Sequence, residues 1–202
     1  MKRRTLLATI CVLPFAALAE DAGPAQPIAA LNAGLLAIMH AGRAKSFADR
    51  TAMLRPVIEK AFDLTFLLQS SVGHARWTAL PADQQTALLD VFSQFTVASY
   101  VANFDDFNGE KFTIEAENRK VENDIVVPSR IVASNGDVTK LDYVMRNAES
   151  CWRVVDILLD GSISRVAVTR SDFRALLGPG DASKLIDSLR SKVAKLAAGT
   201  AT

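Results

Sequence analysis

An α+β fold, with helices packed on a four-stranded antiparallel sheet, is what the order of hydrophobic periods predicts for this chain of 202 residues. Three observations carry the expectation. Apolar residues recur at helical spacing from Pro27 to about Asn103, the period then drops to two between turn-forming clusters, and helical spacing returns after Ser162. Blocks of helices and strands, rather than their alternation, favour α+β over a parallel α/β sheet. Half of the positions are hydrophobic and 22% are charged, so the chain can bury a full core, and its length fits one domain, residues 27–197.

The segment "MKRRTLLATICVLPFAALA" combines Lys2, Arg3 and Arg4 with a short apolar run and small residues at Ala17 and Ala19. That is the pattern of a secretory signal, predicted to span residues 1–19 with cleavage before Glu20. Arg3-Arg4 leaves both the general and the twin-arginine route open. "EDAGPAQP" opens the mature chain as a linker over residues 20–26, and residues 198–202 form a short tail. No later run reaches the roughly 18 apolar residues a membrane helix needs, so the mature protein is predicted to be soluble. Removing the three basic residues from the 23 present leaves two fewer than the 22 acidic ones, which argues against a nucleic-acid partner. Cys151 then stands alone and is expected to be a small buried hydrophobe rather than half of a disulfide.

Pro27, with its φ already near the helical value, suits the first turn of a helix that carries Ile28, Leu31, Leu35 and Ile38. Ser46 with Asp49 three residues on predicts the start of a second helix, with Met53, Leu54, Val57, Ile58 and Ala61 along one stripe. Asp63 caps "LTFLLQSS", "HARWTAL" forms a turn or two, and Pro81 opens the longest helix, striped by Leu88, Val91, Phe92, Phe95, Ala98 and Val101. "FDDFNGEKF" is a turn. "KFTIEA", "IVVPSRIVA", "TKLDYVM" and "CWRVVDILL" are the four strands, separated in part by turns at Ser134 to Asp137 and at "NAES". A helix follows Ser162, and another, "DASKLIDSLRSKVAKLA", follows Gly178-Pro179-Gly180 with Asp181 as its cap.

If both turns close symmetrically, Arg130 lies opposite Leu141, Tyr143 opposite Val154 and Leu141 opposite Asp156. One face then collects Val126, Pro128, Arg130, Val132, Leu141, Tyr143, Met145, Trp152, Val154, Asp156 and Leu158. The other collects Ile125, Val127, Ile131, Val144, Val155, Ile157 and Leu159. Apolar residues on both faces of an antiparallel sheet imply that both are covered, by helices on one side and by more helices, a partner or an apolar ligand on the other.

Little in the sequence points to chemistry. His40 and His74 sit on separate helical segments without metal-ligand spacing, and no nucleophile elbow, phosphate loop or dinucleotide fingerprint occurs. Asp105-Asp106 falls in a turn and is read as solvated. Arg130 and Asp156 share a predicted face, where a structural ion pair would satisfy both. Trp77 and Trp152 are read as core.

The helix-then-strand order, "IVVPSRIVA", "KLDYVM", and Trp152 and Asp156 followed by Gly161, Ser162 and "SDFRALL…LIDSL", resemble the periplasmic Mla lipid-transport substrate-binding proteins, the toluene-tolerance family. The likeness runs from about Ser46 to Val193. "ALPADQQTALLDVF", "TVASYVANFDDFNGEKF" and "LDGSIS" look closest to the hopanoid-associated HpnM subgroup. The resemblance implies a curved sheet in a cone like that of nuclear transport factors, enclosing a deep apolar cavity. It implies a periplasmic carrier without cofactor, metal or catalysis, whose partners are a phospholipid or hopanoid, an inner-membrane transporter and an outer-membrane complex. Residues expected to meet the lipid are Phe62, Phe66, Phe95, Tyr100, Phe104 and Phe112, with Val126, Val132, Leu141 and Tyr143 on the central strands. Trp152, Val154, Ile163 and Val166 complete that set. The rival reading is an enzyme of the same cone-shaped fold, using Asp156 and Tyr143 as acid and base on a small apolar substrate.

Overall fold

The computed structural model of the protein describes residues 23–148 and 151–200. The expected signal segment and its cleavage point lie outside the described residues.

Among the described residues five helices come first: α1 (Gln26–Ala41), α2 (Phe47–Ala61), α3 (Leu64–Val72), α4 (His74–Ala79) and α5 (Ala82–Asn103). Their starts follow local chemistry. Ser46 Oγ accepts the Asp49 N–H at 3.0 Å, and Asp63 Oδ1 accepts the Phe66 N–H at 2.8 Å, each satisfying a donor that the first turn leaves without an intrahelical partner. Pro27 lies in the first turn of α1, and Pro81 is the N-cap of α5. The buried side of α5 includes Leu88, Val91, Phe92, Val97, Ala98 and Val101. Arg50 on α2 is buried and donates to the Val101 carbonyl at 3.1 Å, tying α2 to α5.

Among the described residues the sheet has six strands rather than four: β1 (Lys111–Ile114), β2 (Arg119–Val121), β3 (Asp124–Val132), β4 (Val138–Ala148), β5 (Cys151–Leu159) and β6 (Ile163–Ser164). All pairings are antiparallel in the order β1-β3-β4-β5-β6, and β2 pairs with β3 as well. The extra strands are three and two residues long and carry no apolar alternation that could mark them. Because β6 folds back on Leu158 and Leu159, the next helix, α6 (Arg165–Arg174), opens with Ser164 as its cap rather than at Ser162. The chain closes with α7 (Ser183–Ala197), where Asp181 accepts the Ser183 N–H at 2.9 Å.

Both predicted registers are corrected. Arg130 pairs with Lys140, not Leu141, because Ala133 and Asp137 bond across a three-residue turn that Gly136 enters at φ +90°. One residue fewer in the turn moves every β3 side chain to the opposite face. Between β4 and β5 a bulge at Val144/Met145 shifts the register, so Tyr143 faces Ile157 and Leu141 faces Leu159, while Met145 faces Val154. The inner face therefore carries Val127, Ile131, Leu141, Tyr143, Met145, Trp152, Val154, Ile157 and Leu159. Val126, Val132, Arg130 and Asp156 belong to the outer one.

Two hydrophobic clusters hold the fold. The first joins the inner sheet face, through Val127, Tyr143, Met145 and Val154, to Ile28, Leu35, Leu54, Ile58 and Val101 of α1, α2 and α5. The second is helical, built from Leu68, Val72, Leu88, Phe92, Phe173, Leu185 and Leu189. Since α5 serves both, its middle spans the gap between them. The outer face is shielded differently from the prediction: Arg119, paired in register with Val126, reaches Asp142, and Arg146 pairs with Asp124 at 2.7 Å. Arginine stems can cover apolar surface in this way while their heads stay wet. Cys151 is exposed, not buried, because it opens β5 opposite Ala148 at the end of the sheet.

Candidate functional site

A cavity of about 600 Å³ lies where the middle of α5 crosses the inner sheet face. Helical spacing of three and four brings Phe92, Phe95, Thr96, Ser99, Tyr100 and Asn103 of α5 to it, one wall of mixed aromatic and small polar groups. The opposite wall is Ile131, Thr139, Leu141, Tyr143, Ile157 and Leu159, alternate residues of β3, β4 and β5. Met39, Phe62, Leu67 and Ser71 close one end, and Arg165, Val166 and Thr169 of α6 close a side. Phe104, Asp105, Asp106, Asn108 and Glu110 in the segment after α5 form the rest of the rim. A smaller groove of about 360 Å³ adjoins it between α5 and α7, sharing Phe95, Ser99 and Asn103 and adding Lys192 and Lys195.

Aromatic rings stiffen the wall. Phe62 lies 5.7 Å from Tyr100 between centroids, Tyr100 stacks on Phe104 at 6.0 Å, and Phe104 meets Phe112 at 5.9 Å. Burial pushes the Tyr143 phenol pKa well up. Tyr100 is also raised, first by burial and then by Tyr143, with Arg165 acting in the opposite direction. Both phenols are therefore protonated donors at neutral pH. At the rim Asp105 is partnered by Arg43 at 2.7 Å.

Of the residues expected to meet a lipid, Phe62, Phe95, Tyr100, Phe104, Leu141, Tyr143 and Val166 line this cavity. The others lie elsewhere. Trp152 and Val154 belong to the sheet core, and Val154 is fully buried beside Phe62. Phe112 backs the wall behind Phe104. Phe66 packs beneath the Arg146 guanidinium at 4.4 Å, and Ile163 is half exposed on β6. Val126 and Val132 sit on the outer face because of the three-residue turn. The same turn and the bulge put Ile131, Ile157 and Leu159 on the cavity face, opposite to the one predicted. The α5 residues Thr96, Ser99 and Asn103 were missed because their polarity hides a cavity wall in a sequence read for apolar stripes.

The Arg130–Asp156 ion pair does not form. Arg130 pairs with Glu115 across to β1, while Asp156 accepts from the Ser164 hydroxyl and from the N–H groups of Ile157 and Val166, at 2.7 and 3.1 Å for the last two. Asp156 thus pins β6 and the start of α6 against β5. It lies on the face opposite Tyr143, so the acid–base pair of the enzyme reading is not assembled. His40 packs on the Phe107 ring at 4.0 Å. Among the described residues no group of three His, Cys, Asp or Glu side chains is placed to hold a metal, and no helix is long and apolar enough to cross a membrane.

The family model described as MlaC protein matches residues 30–191, from within α1 to within α7. The chain belongs to the MlaC protein family. Among solved structures it is similar to the phospholipid-binding protein from Ralstonia solanacearum in complex with a phospholipid. The TM-score is 0.73 at 20% sequence identity, over 87% of this chain and 99% of that one. At such an identity the likeness of this MlaC family member to that protein is one of fold. No curated protein matches the chain.

Proposed function

We propose that this MlaC family member is a periplasmic lipid carrier, exported by the signal at residues 1–19, that takes the tails of a phospholipid or hopanoid-type lipid into the cavity and shuttles them between inner and outer membranes. The observation that carries this reading is the cavity, whose 600 Å³ lie within the roughly 300 to 1,000 Å³ of small-ligand sites. Its walls are apolar at Phe92, Phe95, Leu141, Ile157 and Leu159. The phospholipid named for the similar Ralstonia solanacearum protein supports a lipid as the occupant. Burial at about 0.8 kcal/mol per methylene makes one long acyl chain worth on the order of 10 kcal/mol before opposing costs, so tails alone can drive loading. An inner-membrane transporter and an outer-membrane complex are the partners such a carrier would serve, in maintaining the lipid asymmetry of the outer membrane. The test is native mass spectrometry of protein purified without detergent. Chemically unchanged lipid retained in the complex is the expected result; protein that carries none and extracts none from vesicles would contradict the reading.

A further inference from the structure

One side of the cavity is covered by a strap. Phe104, Asp105, Asp106, Asn108 and Glu110, from the segment between α5 and β1, line the space, so moving that segment aside would uncover it. Phe107 turns the other way and packs on His40. Among the described residues the backbone of residues 105–109 makes no hydrogen bond to backbone elsewhere. The N–H groups of Phe107 and Asn108 are taken within the segment, by the Asp106 and Glu110 carboxylates. Each end has a pivot. Phe104 closes α5 with its N–H on the Tyr100 carbonyl at 3.0 Å and its ring stacked on Tyr100, and Gly109 takes φ +92° at the other end. What fastens the strap comes from one place, the end of α1 and the turn Gly42–Ala44 that follows it. Arg43 donates to Asp105 Oδ2 through Nε at 3.0 Å and Nη2 at 2.7 Å. The His40 and Phe107 rings lie 4.0 Å apart between centroids, and a Cβ added to Gly42 would stand 3.7 Å from Asp106 Oδ1. Arg43 is 80% exposed, so its ion pair is screened and weak. A cover with few backbone bonds, fastened at exposed side chains, belongs to the least stable part of a fold.

Resting on the carrier reading above, we propose that residues 104–110 are a gate over the cavity, latched to the end of α1 by Arg43 and His40, and that lipid enters and leaves when the latch releases. Opening the cavity at α5 or at the sheet would expose packed apolar core. Lifting the strap parts one stacked ring and one exposed ion pair. The latch sets how fast the cavity opens, while the apolar walls set how tightly a tail is held.

For the test, protein beginning at Glu20 and carrying its lipid is mixed with vesicles of chain-deuterated phosphatidylethanolamine and phosphatidylglycerol, and native mass spectrometry follows replacement of the light lipid by the heavy one. Arg43→Ala and Asp105→Ala should each speed exchange by about two- to fivefold, the range an exposed ion pair can supply, and the double variant should be no faster than either alone. Arg43→Ala should leave final occupancy at the wild-type level, because Arg43 does not line the cavity. In the converse experiment His40→Cys and Phe107→Cys, in a Cys151→Ser background, are joined by a reducible bismaleimide. Exchange should stop in the bridged protein and resume on reduction. His40 and Arg43 are exposed and Phe107 half-buried, so these variants reach the strap without touching the core. Exchange no faster in Arg43→Ala than in wild type, additive effects of the two latch substitutions, or undiminished exchange in the bridged protein would each overturn the gate and leave the carrier intact. A wild type that neither carries lipid nor takes any from the vesicles would instead bring down the carrier reading, and the gate with it.

Discussion

Asp156 joins the last two strands of the sheet to the start of the helix that follows them. Its carboxylate bridges β5 to β6 and α6 through Ser164 and Val166, so Asp156→Ala should destabilise by about 1 to 3 kcal/mol through partly buried donors left without a partner. Arg130 is exposed and Glu115 partly so, and Arg130→Ala should cost less than about 1 kcal/mol. In urea unfolding the double mutant should equal the sum of the singles within about 0.5 kcal/mol; a larger coupling would restore the ion pair. The cavity phenols make a prediction about pH. Tyr143 and Tyr100 hold their protons above the ordinary value of 10.0, so above that pH the unfolded chain loses protons that the folded chain retains. Their contribution is complete below the unfolded value and is lost as pH climbs through the folded one. Unfolding midpoints followed from about pH 9 to 11 should therefore fall less steeply in Tyr143→Phe than in wild type.

At the scale of elements, what could be read from the chain was what local chemistry decides. Ser46 and Asp63 announced their helices because a capping oxygen needs only its own next turn. Asp63→Ala should accordingly cost about 1 kcal/mol, measurable as a lower unfolding midpoint and a loss of helix signal confined to α3. Strand existence was equally legible for β1, β3, β4 and β5, but the face each residue takes was not. Face depends on whether a turn closes on three residues or four, and "SNGD" allows both until Ala133 pairs with Asp137. A bulge at Val144/Met145 leaves no mark in the alternation at all. The candidate site follows from these two devices: Tyr143 and Leu141 reach the cavity as the alternation predicts, while Ile131, Ile157 and Leu159 reach it only through the turn and the bulge. Gly136 is the hinge of the register, at φ +90°. Gly136→Ala should destabilise by about 1 kcal/mol or more, because alanine resists that backbone conformation.

For the whole molecule, the division between solid core and open cavity runs along β5. Val154 is fully buried against Phe62 and the α1, α2 and α5 core, whereas Leu159 lines the cavity outside both packed clusters. Filling each position should have opposite consequences. Val154→Trp should overpack the core and cost about 1 to 3 kcal/mol or more, lowering the melting temperature of the lipid-free protein. The decisive measurement is lipid retained by Leu159→Trp after detergent-free purification, read by native mass spectrometry beside its melting temperature. Near wild-type stability with lipid occupancy largely lost is the expected result, the indole having taken the space of the tail. Wild-type lipid occupancy in that variant would contradict it.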